Sequence, residues 1–263
     1  MPGPKKSLGQ HWLRDADVLR HIADCAELND TDSVLEIGPG LGTLTSELLR
    51  RSRDVIAVEF DKDLARKLPG QFPGKKLSVV QSDILKFDLS PLPTGYKVVA
   101  NVPYYITSKI VQLLMTADNK PSLAVLLVQK EVAERLAARP GNMSILAVSA
   151  QLYSDVSLGD IVPAELFTPP PKVDSQVVIL RTRNAPLVAK EDERAFFRVV
   201  KAGFSAKRKK LRSSLSGGLA ISKTEAETLL NEAGISGDMR AEDLSLADWQ
   251  RLLTAFQGDT VSD

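Results

Sequence analysis

Cysteine is almost absent from this chain of 263 residues: Cys25 stands alone. No intrachain disulfide can form, and no metal cluster can be built from cysteines of one chain. His11 and His21 are the only histidines, too few for a His-rich metal site, so no metal is expected. No run of about 18 apolar residues occurs, which argues against a transmembrane helix. The N-terminal stretch MPGPKKSLGQHW lacks an apolar segment, so neither signal peptide nor membrane anchor is predicted. A soluble cytoplasmic protein is the expectation, and with nothing demanding a dimer, a monomer. What is present suits a folded protein: hydrophobic residues make up 43% and charged residues 25%, enough for an ordinary core. The length fits one large domain, or one domain with a smaller appendage.

Net charge is only +1, but its distribution is uneven. Residues 190–212 hold nine Lys/Arg and three Asp/Glu, a balance of +6. Residues 221–263 hold three Lys/Arg and nine Asp/Glu, a balance of −6. Two readings are open: a face for a polyanion beside a solvated one, or two segments that neutralise each other.

Apolar residues at 18, 19, 22, 23 and 26 predict a helix over 15–27, with Asp15 as its cap. Strands are predicted at SVLEI (33–37), DVIAVEF (54–60), KLSVVQSD (76–83), KVVAN (97–101), SLAVLLVQ (122–129) and VVILR (177–181). Helices are predicted at 44–51, 61–68, around 106–115, 130–138 and 144–152. Alternation of the two, with strands apolar on both faces, predicts a parallel sheet covered on both sides. Residues 182–193 read as a linker. Helical patterns alone follow at 192–203, roughly 205–215, 224–233 and 245–256. The expected fold class is α/β, with an α/β domain over 1–183 and a small all-helical domain over 190–263.

EIGPGLG (36–42) lies between the first predicted strand and its helix. Gly38, Gly40 and Gly42 permit a tight turn and close approach to a ligand. A dinucleotide loop would place its last glycine at 43, where Thr43 stands, and the turn can also exist without a ligand. Glu59 closes the second strand and Asp83 follows the third. In open parallel sheets, ligands bind beyond those carboxyl ends. Glu59 can accept both hydroxyl hydrogens of a ribose, and Asp83 can accept from an adenine amine. No Walker-type phosphate clamp is present, so the pocket suits a nucleoside without pyrophosphate. Acidic walls suit a sulfonium cation, which points to S-adenosylmethionine.

NVPYY (101–105) ends the fourth strand on the same rim. The side-chain oxygen of Asn101 can accept one hydrogen of a planar amine, and the Val102 carbonyl the other. Pro103 stiffens the turn. Both acceptances together raise lone-pair density on the nitrogen for in-line attack on a methyl group. Tyr104 offers a face to a base; Tyr105 reads as packing. The plain alternative is an Asn-x-Pro turn with an aromatic plug.

With KKSLGQHWL (5–13), EIGPGLGTLT (36–45), VEFD (58–61), QSD (81–83), NVPY (101–104), QKEVAERL (129–136), FTPPPKVDS (167–175) and KAGFSAKRKKLRSSL (201–215), the chain resembles the small-subunit ribosomal RNA adenine dimethyltransferases. The resemblance implies a Rossmann-like S-adenosylmethionine-dependent methyltransferase sheet. It implies transfer of two methyl groups to each of two adjacent adenosines, in a hairpin loop near the 3′ end of small-subunit rRNA, as a step of ribosome biogenesis. By motif, His11, Leu13, Gly38, Gly40, Glu59, Asp83 and Asn101 would border the cofactor. Asn101 and Pro103 would hold the target amine, with Tyr104 and Phe167 flanking the target base. The small ribosomal subunit and its rRNA would be the partners. Trp12 stands where the family usually has Phe, and Val102 where it has Leu or Ile.

Pro169, Pro170 and Pro171 restrict their loop to an extended shape that presents Phe167 and Lys172, or they form a rigid connector. Lys207, Arg208, Lys209, Lys210 and Arg212 are candidate RNA phosphate contacts, or a solvated helix face. Two alternatives stand beside the main reading. One is an erythromycin-resistance-type methylase acting on large-subunit rRNA; the other is a non-catalytic ribosome assembly factor.

Overall fold

Near-continuous Val, Leu and Ile runs become a central sheet, and the amphipathic stretches between them become helices. The computed structural model describes residues 9–259; the KKSL start (5–8) of the N-terminal motif lies outside them. Among the described residues the chain divides into two compact units. One runs to Glu134 and resumes over Ser154–Thr182, and the other comprises Arg135–Tyr153 with the chain from Arg183 onward. The division therefore differs from a single cut near residue 183.

In the first unit, β1 (Trp12–Leu13) and α1 (Ala16–Asp24) precede β2 (Ser33–Ile37), α2 (Thr43–Arg51), β3 (Asp54–Glu59) and α3 (Lys62–Lys67). Then come β4 (Leu77–Gln81), β5 (Lys97–Asn101), α4 (Thr107–Thr116), β6 (Leu123–Gln129) and α5 (Lys130–Leu136). Past α6 (Ile145–Tyr153) of the second unit, the chain returns as β7 (Ser154–Val162), β8 (Phe167–Thr168) and β9 (Ser175–Thr182). Asp15 caps α1 as expected, accepting from the amides of Asp17 and Val18, both at 3.0 Å. Leu19, Ile22 and Ala23 of that helix join a core with Leu44 and Leu48 of α2 and Val125 and Leu127 of β6. Each large side chain so buried contributes about 1.5–3 kcal/mol relative to exposure.

Seven strands form one sheet in the order β4-β3-β2-β5-β6-β9-β7. From β4 to β6 all pairings are parallel. β9 runs antiparallel to β6, and β7 antiparallel to β9. The sheet is therefore mostly parallel rather than wholly so, and β7 was not predicted. Its sequence, SDVSLGDIV, has no sustained alternation, because the register with β9 shifts between Leu158 and Ile161. It is an edge strand with few buried positions, so the apolar signal is weak as well.

The second unit is helical: α6, α7 (Glu193–Gly203), α8 (Leu211–Leu219), α9 (Lys223–Glu232) and α10 (Leu246–Asp259). Residues 135–153 join it through hydrogen bonds as well as packing. The amides of Gly141 and Met143 both donate to the Glu242 carbonyl, at 2.9 and 3.0 Å. The helix expected over 205–215 is broken. A short 3-10 turn at Phe204–Ala206 gives way to extended backbone at Lys210, and α8 starts at Leu211. The amides of Leu211 and Arg212 donate instead to the carbonyls of Met239 and Gly237. No described helix is long and apolar enough to cross a membrane.

The α7–α8 crossing tolerates no side chain at Gly218, where a Cβ would lie 2.5 Å from the Ala202 Cα. The neighbour is backbone and cannot rotate away. Gly218→Ala is expected to destabilise the protein by about 1–3 kcal/mol, read as a lowered denaturation midpoint. An unchanged midpoint would mean that the two helices do not pack this closely.

Candidate active site

Strand order reverses at β2, which has β3 and β4 on one side and β5 and β6 on the other. Loops leaving the carboxyl ends of β2 and β5 diverge there and open a crevice. A cavity of about 350 Å³ occupies it, within the range of small-molecule sites. The structure brings together in its lining His11, Leu13, Gly38, Gly40, Glu59, Asp83, Asn101, Pro103 and Tyr104. Phe167 is not among them.

The glycine loop turns by positive φ at Gly38 (+67°), Gly40 (+57°) and Gly42 (+80°). Gly42 is a packing requirement as well: a Cβ there would lie 2.7 Å from Leu68 Cδ1. Glu59 anchors the loop from the next strand. Its Oε2 accepts from the Gly40 amide at 3.0 Å and its Oε1 from the Asp61 amide at 2.8 Å. Burial pushes the Glu59 carboxyl above its ordinary range, against the pull of those two amides. Asp83 caps the following 3-10 turn by accepting from the Leu85 amide at 3.0 Å, and it lines the cavity half-buried.

On the opposite rim, the Asn101 amide Nδ2 donates to the His11 carbonyl at 3.4 Å. That bond uses the donor end of the side chain and leaves Oδ1 as the available acceptor. The Val102 amide donates to the Leu127 carbonyl at 3.1 Å, pinning the turn to β6. The Tyr104 hydroxyl is 2.6 Å from Ser175 Oγ. Its ring stacks with His11 at 5.8 Å between centroids and 17° between planes. His11 Nδ1 in turn donates to the Pro169 carbonyl at 2.7 Å. The proline-rich loop thus braces the N-terminal motif, and Ser175 just beyond it braces Tyr104.

Two expectations require correction. Phe167 is 2% exposed and sits in the core, because β8 pairs antiparallel with β1 and sets Phe167 opposite Leu13. It presents no face to a base. Tyr105, expected to pack, is 64% exposed at the cavity mouth. The turn that buries Val102 sends Tyr105 outward.

Among the lining residues that sequence reasoning did not single out, Phe60 and Glu36 carry chemistry of their own. Phe60 follows Glu59 directly and is 56% exposed; an aromatic just past a strand-end acid was its only signal. Glu36 is 1% exposed, and its Oε2 accepts from Thr45 Oγ1 at 2.6 Å. Burial, with added repulsion from Glu59, pushes its carboxyl up to about 8, while the Thr45 hydroxyl opposes the rise. No Lys or Arg is among the described residues that line the cavity.

In the second unit, the acidic segment neutralises part of the basic one. Lys210 pairs with Asp238 at 2.8 Å, and Arg212 with Glu227 at 2.8 Å. Lys207, Arg208 and Lys209 are exposed with no ion pair among the described residues. Neutralisation therefore accounts for Lys210 and Arg212 but not for Lys207, Arg208 and Lys209.

The family model for ribosomal RNA adenine dimethylase matches residues 3–257. The chain is 42% identical to ribosomal RNA small subunit methyltransferase A of Dehalococcoides mccartyi, over 96% of this chain and 88% of that one. It is 40% identical to the protein of the same name from Moorella thermoacetica, over 97% of this chain and 93% of that one. Among solved structures, a dimethyladenosine transferase from Plasmodium falciparum superposes with a TM-score of 0.83 at 27% identity, covering 95% of this chain and 98% of the other. The 23S rRNA methyltransferase ErmE superposes with a TM-score of 0.77 at 31% identity, covering 94% and 99%. On sequence and fold together, the chain belongs to the ribosomal RNA adenine dimethylase family.

Proposed function

We propose that this protein uses S-adenosylmethionine to dimethylate the exocyclic amines of two adjacent adenosines in a 3′-terminal hairpin loop of small-subunit rRNA. The observation that carries the reading is the orientation of Asn101, whose Nδ2 is tied to His11 so that Oδ1 is the acceptor left for an amine. The cavity's residues fit the cofactor. Its two buried carboxyls have no cationic side chain beside them in the lining, which suits a cationic ligand better than a phosphate. When bound, S-adenosylmethionine supplies an electrophilic methyl group.

The remaining work falls to side chains and backbone of this chain. Glu59 would hold the ribose hydroxyls, since each of its oxygens keeps a lone pair beyond its backbone bond. Asp83 would accept from the cofactor's adenine amine, and His11 and Leu13 would border it. Asn101 Oδ1 and the Val102 carbonyl would each accept one hydrogen of the target amine, drawing its lone pair out of conjugation with the ring. Tyr104, braced by His11 and Ser175, would lie against the target base. Pro103 fixes the turn that aligns them. Excess protons leave to water, so no strong base is needed.

Identity of 40–42% to small-subunit enzymes, against 31% to the 23S enzyme, favours the small subunit. The test is methylation of unmethylated small subunits with labelled cofactor, followed by mapping of the product on the RNA. Label confined to large-subunit RNA would replace this reading with the erythromycin-type one. Binding without methyl transfer would favour an assembly factor.

The helical unit would hold RNA phosphates through Lys207, Arg208 and Lys209. Replacing all three by alanine is expected to reduce the slope of log K against log salt by about 2, at roughly 0.7 per lost contact. Alanine at Lys210 and Arg212, which are already paired, should change the slope less. An equal change from both sets, measured by binding at several salt concentrations, would contradict this division.

A further inference from the structure

The cavity holds a carboxyl to which the proposed reaction gives no task. Glu36 lies at the rim of β2, is almost wholly buried, and lines the cavity. Its one side-chain partner is the neutral hydroxyl of Thr45. On the neighbouring β3 it faces another carboxylate, Glu59, with Asp61 behind. Elsewhere in the lining stand Asp83, His11, Tyr104 and Tyr105. Charged groups on the other packed elements are occupied: Glu47 of α2 by Arg50 and Arg51, and Lys97 of β5 by Asp32. A buried carboxyl in such surroundings stays neutral until an opposite charge arrives.

Resting on the cofactor reading above, we propose that Glu36 is a charge-sensing specificity residue. It is protonated in the free protein, ionises when the sulfonium cofactor enters, and stays neutral with the uncharged thioether product. Cofactor binding then releases a proton to solvent and product binding does not. An opposite charge within about 4–6 Å lowers a carboxyl by roughly 1–3 units. From a starting point of about 8, that leaves Glu36 half to almost fully ionised at about pH 7. Between the lowered value and that starting point, preference for cofactor over product should rise with pH, by up to about tenfold per unit, and it should be level on either side. The device favours exchange of spent for fresh cofactor.

The experiment is calorimetric titration of the full-length protein with S-adenosylmethionine, and separately with S-adenosylhomocysteine. Each is run at pH 7 in phosphate and in Tris, whose ionisation enthalpies differ. The difference between buffers is expected to correspond to release of up to about one proton for the cofactor and less than half of that for the product. Glu36→Gln should abolish the release and flatten the pH dependence of the preference. Thr45→Val removes the hydroxyl bond that favours the ionised form and keeps the residue's backbone amide, so it should move that dependence to higher pH. Equal proton release by both ligands, or release that survives in a folded Glu36→Gln protein, overturns the inference alone. Failure of either ligand to bind overturns the cofactor reading, and the inference with it.

Discussion

Asn101→Ala is expected to lower turnover on the order of 10²- to 10³-fold, while the dissociation constant for S-adenosylmethionine should move only severalfold. The asymmetry follows from the geometry. Nδ2 is held by the His11 carbonyl, so the oxygen is presented in one direction rather than rotating freely. A pre-oriented acceptor matters most when the amine pyramidalises, because its interaction strengthens only as the reaction proceeds. Asn101 also lines the cavity proposed for the cofactor, which would account for the smaller second effect. Single-turnover rates on small subunits and calorimetric cofactor binding separate the two quantities. Equal losses in both would place Asn101 in the cofactor pocket and remove its role with the amine.

Glu59→Ala is expected to show the complementary signature, weakening cofactor binding on the order of 10²-fold or more. Two hydrogen bonds to a charged acceptor contribute about 1.5–3 kcal/mol each. The same substitution releases the Gly40 and Asp61 amides, so the glycine loop loses its anchor as well. Glu59→Gln is no neutral replacement, because both neighbours are donors and the glutamine amide offers only one acceptor oxygen. It should bind more weakly than the native protein and more tightly than the alanine variant. Because burial raises the Glu59 carboxyl, protonation begins at a higher pH than for an exposed glutamate. Native affinity should therefore fall on acidification, and the alanine variant should lack this component. An affinity within a few-fold of the native protein would show that Glu59 holds only the loop.

Much of the fold was legible because its signals are local. SVLEI and KVVAN became strands over those same residues, and Asp15 capped the helix it precedes. The strand-end acids Glu59 and Asp83 and the amide Asn101 were legible as a set, since each follows a recognisable apolar run. Where a local pattern was interrupted, reading failed. The shifted register of β7 hid a nine-residue strand. At 205–215, amides that would have continued a helix found carbonyls from the 237–239 loop instead.

Phe167 was misread for a different reason. Whether an aromatic faces a core or a cavity depends on its partner strand, and β8 takes its partner from residues about 155 positions earlier. The braces of the site are equally distant in sequence: His11 to Pro169, and Tyr104 to Ser175.

The sequence by itself determined six of the nine described strands and most helices, the glycine turn, and the chemical identity of the groups at those strand ends. Side-chain periodicity and backbone preference act over a few residues, so they are written locally. Tertiary structure decided strand order, and with it a cavity onto which those ends open. It also decided which way the Asn101 amide turns, and which cations of 207–212 remain unpaired. These depend on burial and on pairing between distant segments, and no local pattern encodes either.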